Sequence, residues 1–144
     1  MIKAWLSSAL LIQLCLQLLG QTCQADQFIQ WHGYDIHYTT LSSRLIPADV
    51  AKSHGITRAD NRVVTNISIR KNGQPVRAKI RGTATNLLNQ QQNLAFTEVM
   101  EQDAIYYLAN QLVDVRDTLR FAVSILPEGT DEAYELAFVR DYYQ

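Results

Sequence analysis

Residues 62–83 read RVVTNISIRKNGQPVRAKIRGT. Asn72-Gly73 at the centre is the strongest short hairpin signal, because both residues tolerate the positive φ that a type I′ turn demands. A turn between Lys71 and Gln74 sets a register in which Ile69 faces Val76, Ile67 faces Ala78 and Thr65 faces Ile80. On the other face Ser68 meets Arg77, Asn66 meets Lys79 and Val64 meets Arg81. One register separates apolar from polar side chains on both strands, so turn chemistry and side-chain pattern agree.

Period-two alternation continues outward from this hairpin, and helical periodicity is nearly absent. A strand is expected from about Phe28 to Thr40, in which YDIHYT sets Asp35, His37 and Thr39 on one face and Tyr34, Ile36 and Tyr38 on the other. The stretch IPADVAKSHG reads as one short helix, with Pro47 at its start, Asp49 and His54 favourable to the dipole, Gly55 as the stop and Val50 packed on the sheet. NLLNQQQN reads as a loop. LAFTEVME, DAIYYLANQL, TLRFAVSIL and AYELAFV read as strands, with Leu119, Phe121, Val123 and Ile125 on one face and Tyr134, Leu136 and Phe138 turned inward. PEGTDE is a loop of turn-forming residues. Six or seven short strands with turn signals between them imply an all-β fold, an antiparallel β-sandwich that is immunoglobulin-like in architecture only, since it has no Cys–Trp–Cys core.

The chain opens MIKAWLSSALLIQLCLQLLGQTCQA. Lys3, an apolar run from Ala4 to about Gly20 and small residues at Cys23 and Ala25 have the order of a secretory signal peptide, cut between Ala25 and Asp26. A spanning helix wants about 20 mostly apolar residues; this run is shorter and contains Gln13 and Gln17. Lipidation at Cys23 fits poorly, because Gly20 and Thr22 stand where a lipidation signal carries Leu and a small residue. Removal of residues 1–25 from the 144 leaves 119, enough for a single domain over 26–144. Cys15 and Cys23 depart with the leader, so disulfides, thiolate metal sites and cysteine nucleophiles are excluded from the mature chain.

The chemistry sought is mostly missing. Asp35 and His37 lie two apart on one strand face, yet a metal or catalytic site needs a third partner. His32 has the opposite parity, unless Gly33 carries a bulge, and His54 already serves a helix end. No nucleophile elbow, phosphate loop or metalloprotease motif occurs. Glu98, Glu101 and Asp103 lack an apolar enclosure and read as solvated acids or partners of the basic hairpin. We therefore expect no catalytic residues, no metal site and no cofactor. From Asp26 to Arg81 the chain has nine basic and four acidic residues, and from Gly82 to Gln144 three basic and ten acidic. Such asymmetry suits either an interaction surface or pairing between the halves. Arg77, Lys79 and Arg81 on one hairpin face form the candidate binding surface, for an envelope protein or another anionic envelope component. No aromatic stacking platform is interleaved with these cations, which argues against nucleic acid. The alternative is a small-ligand or lipid carrier, holding an apolar molecule between the sheets near Tyr106, Tyr107 and Phe121.

The stretches YDIHYTTLSSRLIPADVAKSHGITR, NRVVTNISIR, GTATNLLNQQQNLAFTEVMEQDAIYYLA and LAFVRDYY resemble the bacterial domain-of-unknown-function family 4426 across nearly the whole mature chain. Pro47, Gly55-Ile56, Asn66-Ile67-Ser68, Asn86-Leu87, Glu98, Glu101 and Tyr106-Tyr107 carry the likeness, with Ile46 as a departure where a capping Ser or Thr is expected. The resemblance implies a periplasmic location in a Gram-negative bacterium and a β-rich fold. It transfers no catalytic residues.

Overall fold

The computed structural model describes residues 27–143. The leader read over residues 1–25, with both cysteines, lies outside them. Ten strands and one short helix follow in order: β1 Gln27–Trp31, β2 Tyr34–Ser42, α1 Ala48–Ser53, β3 Arg62–Lys71, β4 Gln74–Pro75, β5 Ala78–Thr85, β6 Gln91–Leu94, β7 Thr97–Glu101, β8 Ala104–Leu112, β9 Arg116–Pro127 and β10 Tyr134–Tyr143. One antiparallel sheet runs β1-β2-β3-β8-β7, with β4 on the end of β3; the other runs β10-β9-β5-β6. The all-β sandwich expected from the alternation is the fold observed.

The core lies between the sheets and is the sum of their inward parities. Tyr34, Ile36, Ile67, Ile69, Tyr107 and Ala109 come from the first sheet, and Ala84, Leu119, Phe121, Val123, Ile125, Leu136 and Phe138 from the second. Phe121 and Phe138 stack at 4.5 Å across the β9–β10 ladder. Thr65 and Gln111 are inward-facing polar residues, and the Gln111 amide donates to Thr65 Oγ1 at 2.7 Å, which reduces the cost of burying them. Gly82 is where β5 approaches β9 too closely for a side chain: an added Cβ would meet Val123 Cγ2 at 2.9 Å and the Ala122 carbonyl at 3.0 Å.

The hairpin over 62–83 forms at its tip and then divides. Asn72 (φ 50°) and Gly73 (φ 75°) make the expected turn, Lys71 faces Gln74 and Arg70 faces Pro75. The Val76 N–H still donates to Ile69 O at 2.8 Å. Beyond that point the expected register fails. Ile67 pairs with Tyr107 of β8 and Tyr38 of β2, while Ala78 onward joins the second sheet opposite Pro127. Pro75 offers no N–H to extend the ladder, and β8 occupies the same edge of β3 from Ile67 to Arg62.

Other expectations also shift. The strand expected over 28–40 is itself a hairpin, turned by His32 (φ 49°) and Gly33 (φ 79°). Part of the expected 86–93 loop is β6, paired with β5 from Gly82–Leu94 to Thr85–Gln91. In α1 the buried residue is Ala51 rather than Val50, and Pro47 occupies the position just before the helix. Val64 and Val99, on the outward parity of the first sheet, are nevertheless buried. The 43–61 segment lies over that face, tied down by His54–Glu101 at 3.8 Å and by the Asn110 amide donating to Thr57 O at 2.8 Å.

Candidate functional site

The outward face of the second sheet is exposed at Lys79, Arg81, Arg120, Ala122, Glu135, Ala137 and Val139. Along β5 the side chains alternate, so Ala78 and Ile80 pack toward the core while Lys79 and Arg81 stand exposed. Across the ladder Arg81 is level with Ser124 and Glu135, and the next row is Thr83, Ala122 and Ala137. Ser124 Oγ donates to Glu135 Oε1 at 2.7 Å, so that acid is occupied beside Arg81. Neither the Lys79 nor the Arg81 side chain has a hydrogen bond or ion pair with another described residue.

Of the three cations singled out from the sequence, Arg77 differs. It lies on the crossover between β4 and β5, where its Nε donates to Glu98 Oε1 at 3.2 Å and its Nη2 approaches Met100 Sδ at 3.1 Å. Glu98 Oε2 also accepts from the Tyr107 hydroxyl at 3.0 Å, and that hydroxyl accepts from the Ala78 N–H at 2.8 Å. Arg77 therefore belongs to a polar clamp where the chain passes between sheets. Arg120 takes its place on the outward face, level with Thr85 and Val139, its Nη2 donating to Asn89 Oδ1 at 2.9 Å. The sequence signal for Arg120 was present in the TLRFAVSIL alternation, which gives it the outward parity; only the pairing of β5 with β9 brings it to the same face.

The remaining candidates are scattered. Asp35 accepts from the Gln30 amide at 3.1 Å, and His37 stacks on Phe28 at 5.5 Å. His32 stacks on Trp31 at 4.3 Å, in the turn, with Glu132 at 3.7 Å. His54 meets Glu101 across the first sheet. Among the described residues no three His, Asp or Glu side chains converge as a metal cage. Tyr107 and Phe121 fill the space between the sheets, whereas Tyr106, of opposite parity, lines a shallow groove outside with His37, Asn66, Ser68 and Arg70. Burial raises the Tyr107 hydroxyl pKa; the Ala78 N–H opposes that shift and Glu98 reinforces it. Burial likewise raises Tyr142.

The fold is similar to solved structures. A DUF4426 family protein from Pseudomonas aeruginosa is 29% identical, with a TM-score of 0.77 over 84% of this chain and 97% of that one. A copper-bound variant of FetP from uropathogenic Escherichia coli superposes with a TM-score of 0.61 at 12% identity, over 82% and 95% of the two chains. As-isolated FetP of the same strain, recombinantly expressed in the periplasm of E. coli BL21(DE3), gives 0.58 at 13% identity, over 83% and 94%. At those identities the FetP likeness is one of fold. No curated protein sequence matches the chain. The model of the "Domain of unknown function (DUF4426)" matches residues 29–144, and the chain belongs to that family.

Proposed function

We propose that this protein is a non-catalytic binding module of the periplasm, which docks an acidic protein surface on the outward face of its second sheet. The observation that carries the reading is the pair Lys79 and Arg81, exposed and without an ion pair among the described residues, beside the short side chains of Thr83, Ala122, Ser124 and Ala137, while Lys79 shares a cleft with Glu128 and Asp131. Arg120 extends the positive row. Such a face steers an acidic partner and fixes its orientation more than it adds affinity. The leader-like N-terminus supports the location, as does the fold shared with a protein recombinantly expressed in the periplasm. No helix among the described residues is long and apolar enough to cross a membrane. Copper is bound by the FetP variant, but among the described residues of this chain no cluster of three His, Cys, Asp or Glu ligands occurs.

The test is in-cell crosslinking of the exported, tagged protein, with captured partners identified by mass spectrometry. The expected result is a specific partner captured by the native chain and lost from a Lys79→Glu/Arg81→Glu variant that still folds. Arg77→Glu should retain it if the clamp assignment is right. Capture that survives the double reversal, or no specific capture at all, overturns the proposal.

A further inference from the structure

The outward face of the second sheet carries opposite charges on its two sides. β5 contributes Lys79 and Arg81, and β10 contributes Glu135 and Asp141. β9 lies between them, so the two columns are two strand spacings apart, about 10 Å. In one ladder row Arg81 is level with Ser124 and Glu135, and no ion pair joins the ends of that row among the described residues. Glu135 accepts from Ser124 through Oε1 alone, which leaves Oε2 for another donor. The next row is short throughout, with Thr83, Ala122 and Ala137. The row after it ends in Val139, an apolar side chain that is 51% exposed.

This arrangement complements itself under one symmetry and repels itself under the other. Sheets that pack face to face keep their strands roughly aligned and lie about 10 Å apart. A two-fold axis parallel to the strands and passing over β9 exchanges the two columns and keeps each ladder row level. β5 of one copy then lies over β10 of the other, and Arg81 stands opposite Glu135 of the second copy, twice in the dimer. An axis across the strands would instead set β5 over β5 and cation against cation. Under the first axis Ala122 and Ser124 sit where the sheets approach most closely, and Val139 falls over Thr85 of the second copy. Arg120 is also on β9, but Asn89 draws its guanidinium toward the β5–β6 loop, the side on which Asp141 of the second copy follows Val139. Arg116 lies beyond the end of β5, outside the rows that meet.

We propose that the acidic surface docked on this face is the β10 column of a second copy, so that the protein forms a face-to-face homodimer through its second sheet. The inference rests on the docking reading above and names its partner. Lys79 shares a cleft with Glu128 and Asp131 of its own chain, so Arg81 is the cation that decides the pairing. The rows that meet span four strands, about 15 Å, and about 25 Å along β5. That is roughly half of the about 800 Å² that each partner buries in a standard interface. The dimer is therefore weak, with a dissociation constant in the micromolar range, and its charge pairs fix orientation more than they add affinity.

Sedimentation velocity of the exported chain across the micromolar range tests it, with circular dichroism to establish that each variant folds. The expected result for the native chain is a dimer that grows with concentration. Arg81→Glu and Glu135→Arg, each alone, set like charges opposite each other twice and should raise the dissociation constant about tenfold or more. Mixed in equal amounts, the two variants should recover the dimer, because one contact then exchanges its charges and the other keeps the native ones. A native chain that stays monomeric, single variants that associate as the native chain does, or a mixture without recovery overturns the proposal. Its failure is distinct from failure of the docking reading. A different acidic protein captured in cells, lost from Lys79→Glu/Arg81→Glu and retained by Glu135→Arg, would keep the docking face and remove the second copy from it.

Discussion

Tyr107 shows what a single residue does at the seam between the sheets. Its hydroxyl accepts from Ala78 N–H and donates to Glu98, which in turn holds Arg77. Tyr107→Phe keeps the ring in the core but leaves the Ala78 N–H without an acceptor, a loss of roughly 1–3 kcal/mol. Urea unfolding at neutral pH should show it. The pH dependence has a definite sign. Because burial raises the folded-state pKa, the stabilisation is complete below the free phenol value of about 10 and is lost as pH rises through the folded value. The native protein should weaken on that alkaline limb, and Tyr107→Phe should weaken less; parallel curves would refute the assignment. Sequence reading named Tyr106 and Tyr107 together as aromatics between the sheets; only Tyr107 is there, and nothing in the sequence tells which backbone amide its hydroxyl will meet. Nor could Arg77 be separated from Lys79 and Arg81 in sequence, since all three share a parity and only the crossover gives Arg77 to Glu98.

At the level of elements, turns were legible where the chemistry was specific. Asn72-Gly73 declares itself because both residues accept positive φ. His32-Gly33 hides the same geometry behind a residue seldom used there, so β1 and β2 read as one strand. Alternation gave the wet and dry sides of β5, β9 and β10 correctly, because solvent selects them residue by residue. It could not give the partner of each strand, which depends on competition among edges: β8 displaces β5 from β3, and β5 finds β9. The β7–β8 turn offers a test of backbone strain. Gln102 holds φ 49° there, a conformation that costs an L-residue about 1–2 kcal/mol, whereas glycine adopts it freely at some entropic cost in the unfolded chain. Gln102→Gly should therefore raise stability by about 0.5–1 kcal/mol. An unchanged or lower thermal midpoint would show that the side chain contributes more than the strain removes.

For the whole molecule the question is where the charge asymmetry of the sequence goes. The Arg77–Glu98 ion pair joins the basic first half to the acidic second half, and the His32–Glu132 and His54–Glu101 contacts cross the same divide, so part of the asymmetry is spent inside the fold. The remainder includes Lys79 and Arg81, which find no such partner among the described residues. These two populations should respond differently to salt. The Arg77–Glu98 pair is substantially solvent-exposed, and an exposed pair contributes about 0.2–1 kcal/mol. Raising sodium chloride from low concentration to about 0.5 M shortens the Debye length to well under 10 Å, yet should change the unfolding free energy by no more than about 1 kcal/mol. Association steered by Lys79 and Arg81 has no such buffer, because its attraction acts through water before contact. Its on-rate should fall steeply over the same range, and most of that fall should disappear in Lys79→Ala/Arg81→Ala, where the steering charges are removed. If stability fell with salt as steeply as association, the charges would be holding the sheets together rather than waiting for a partner.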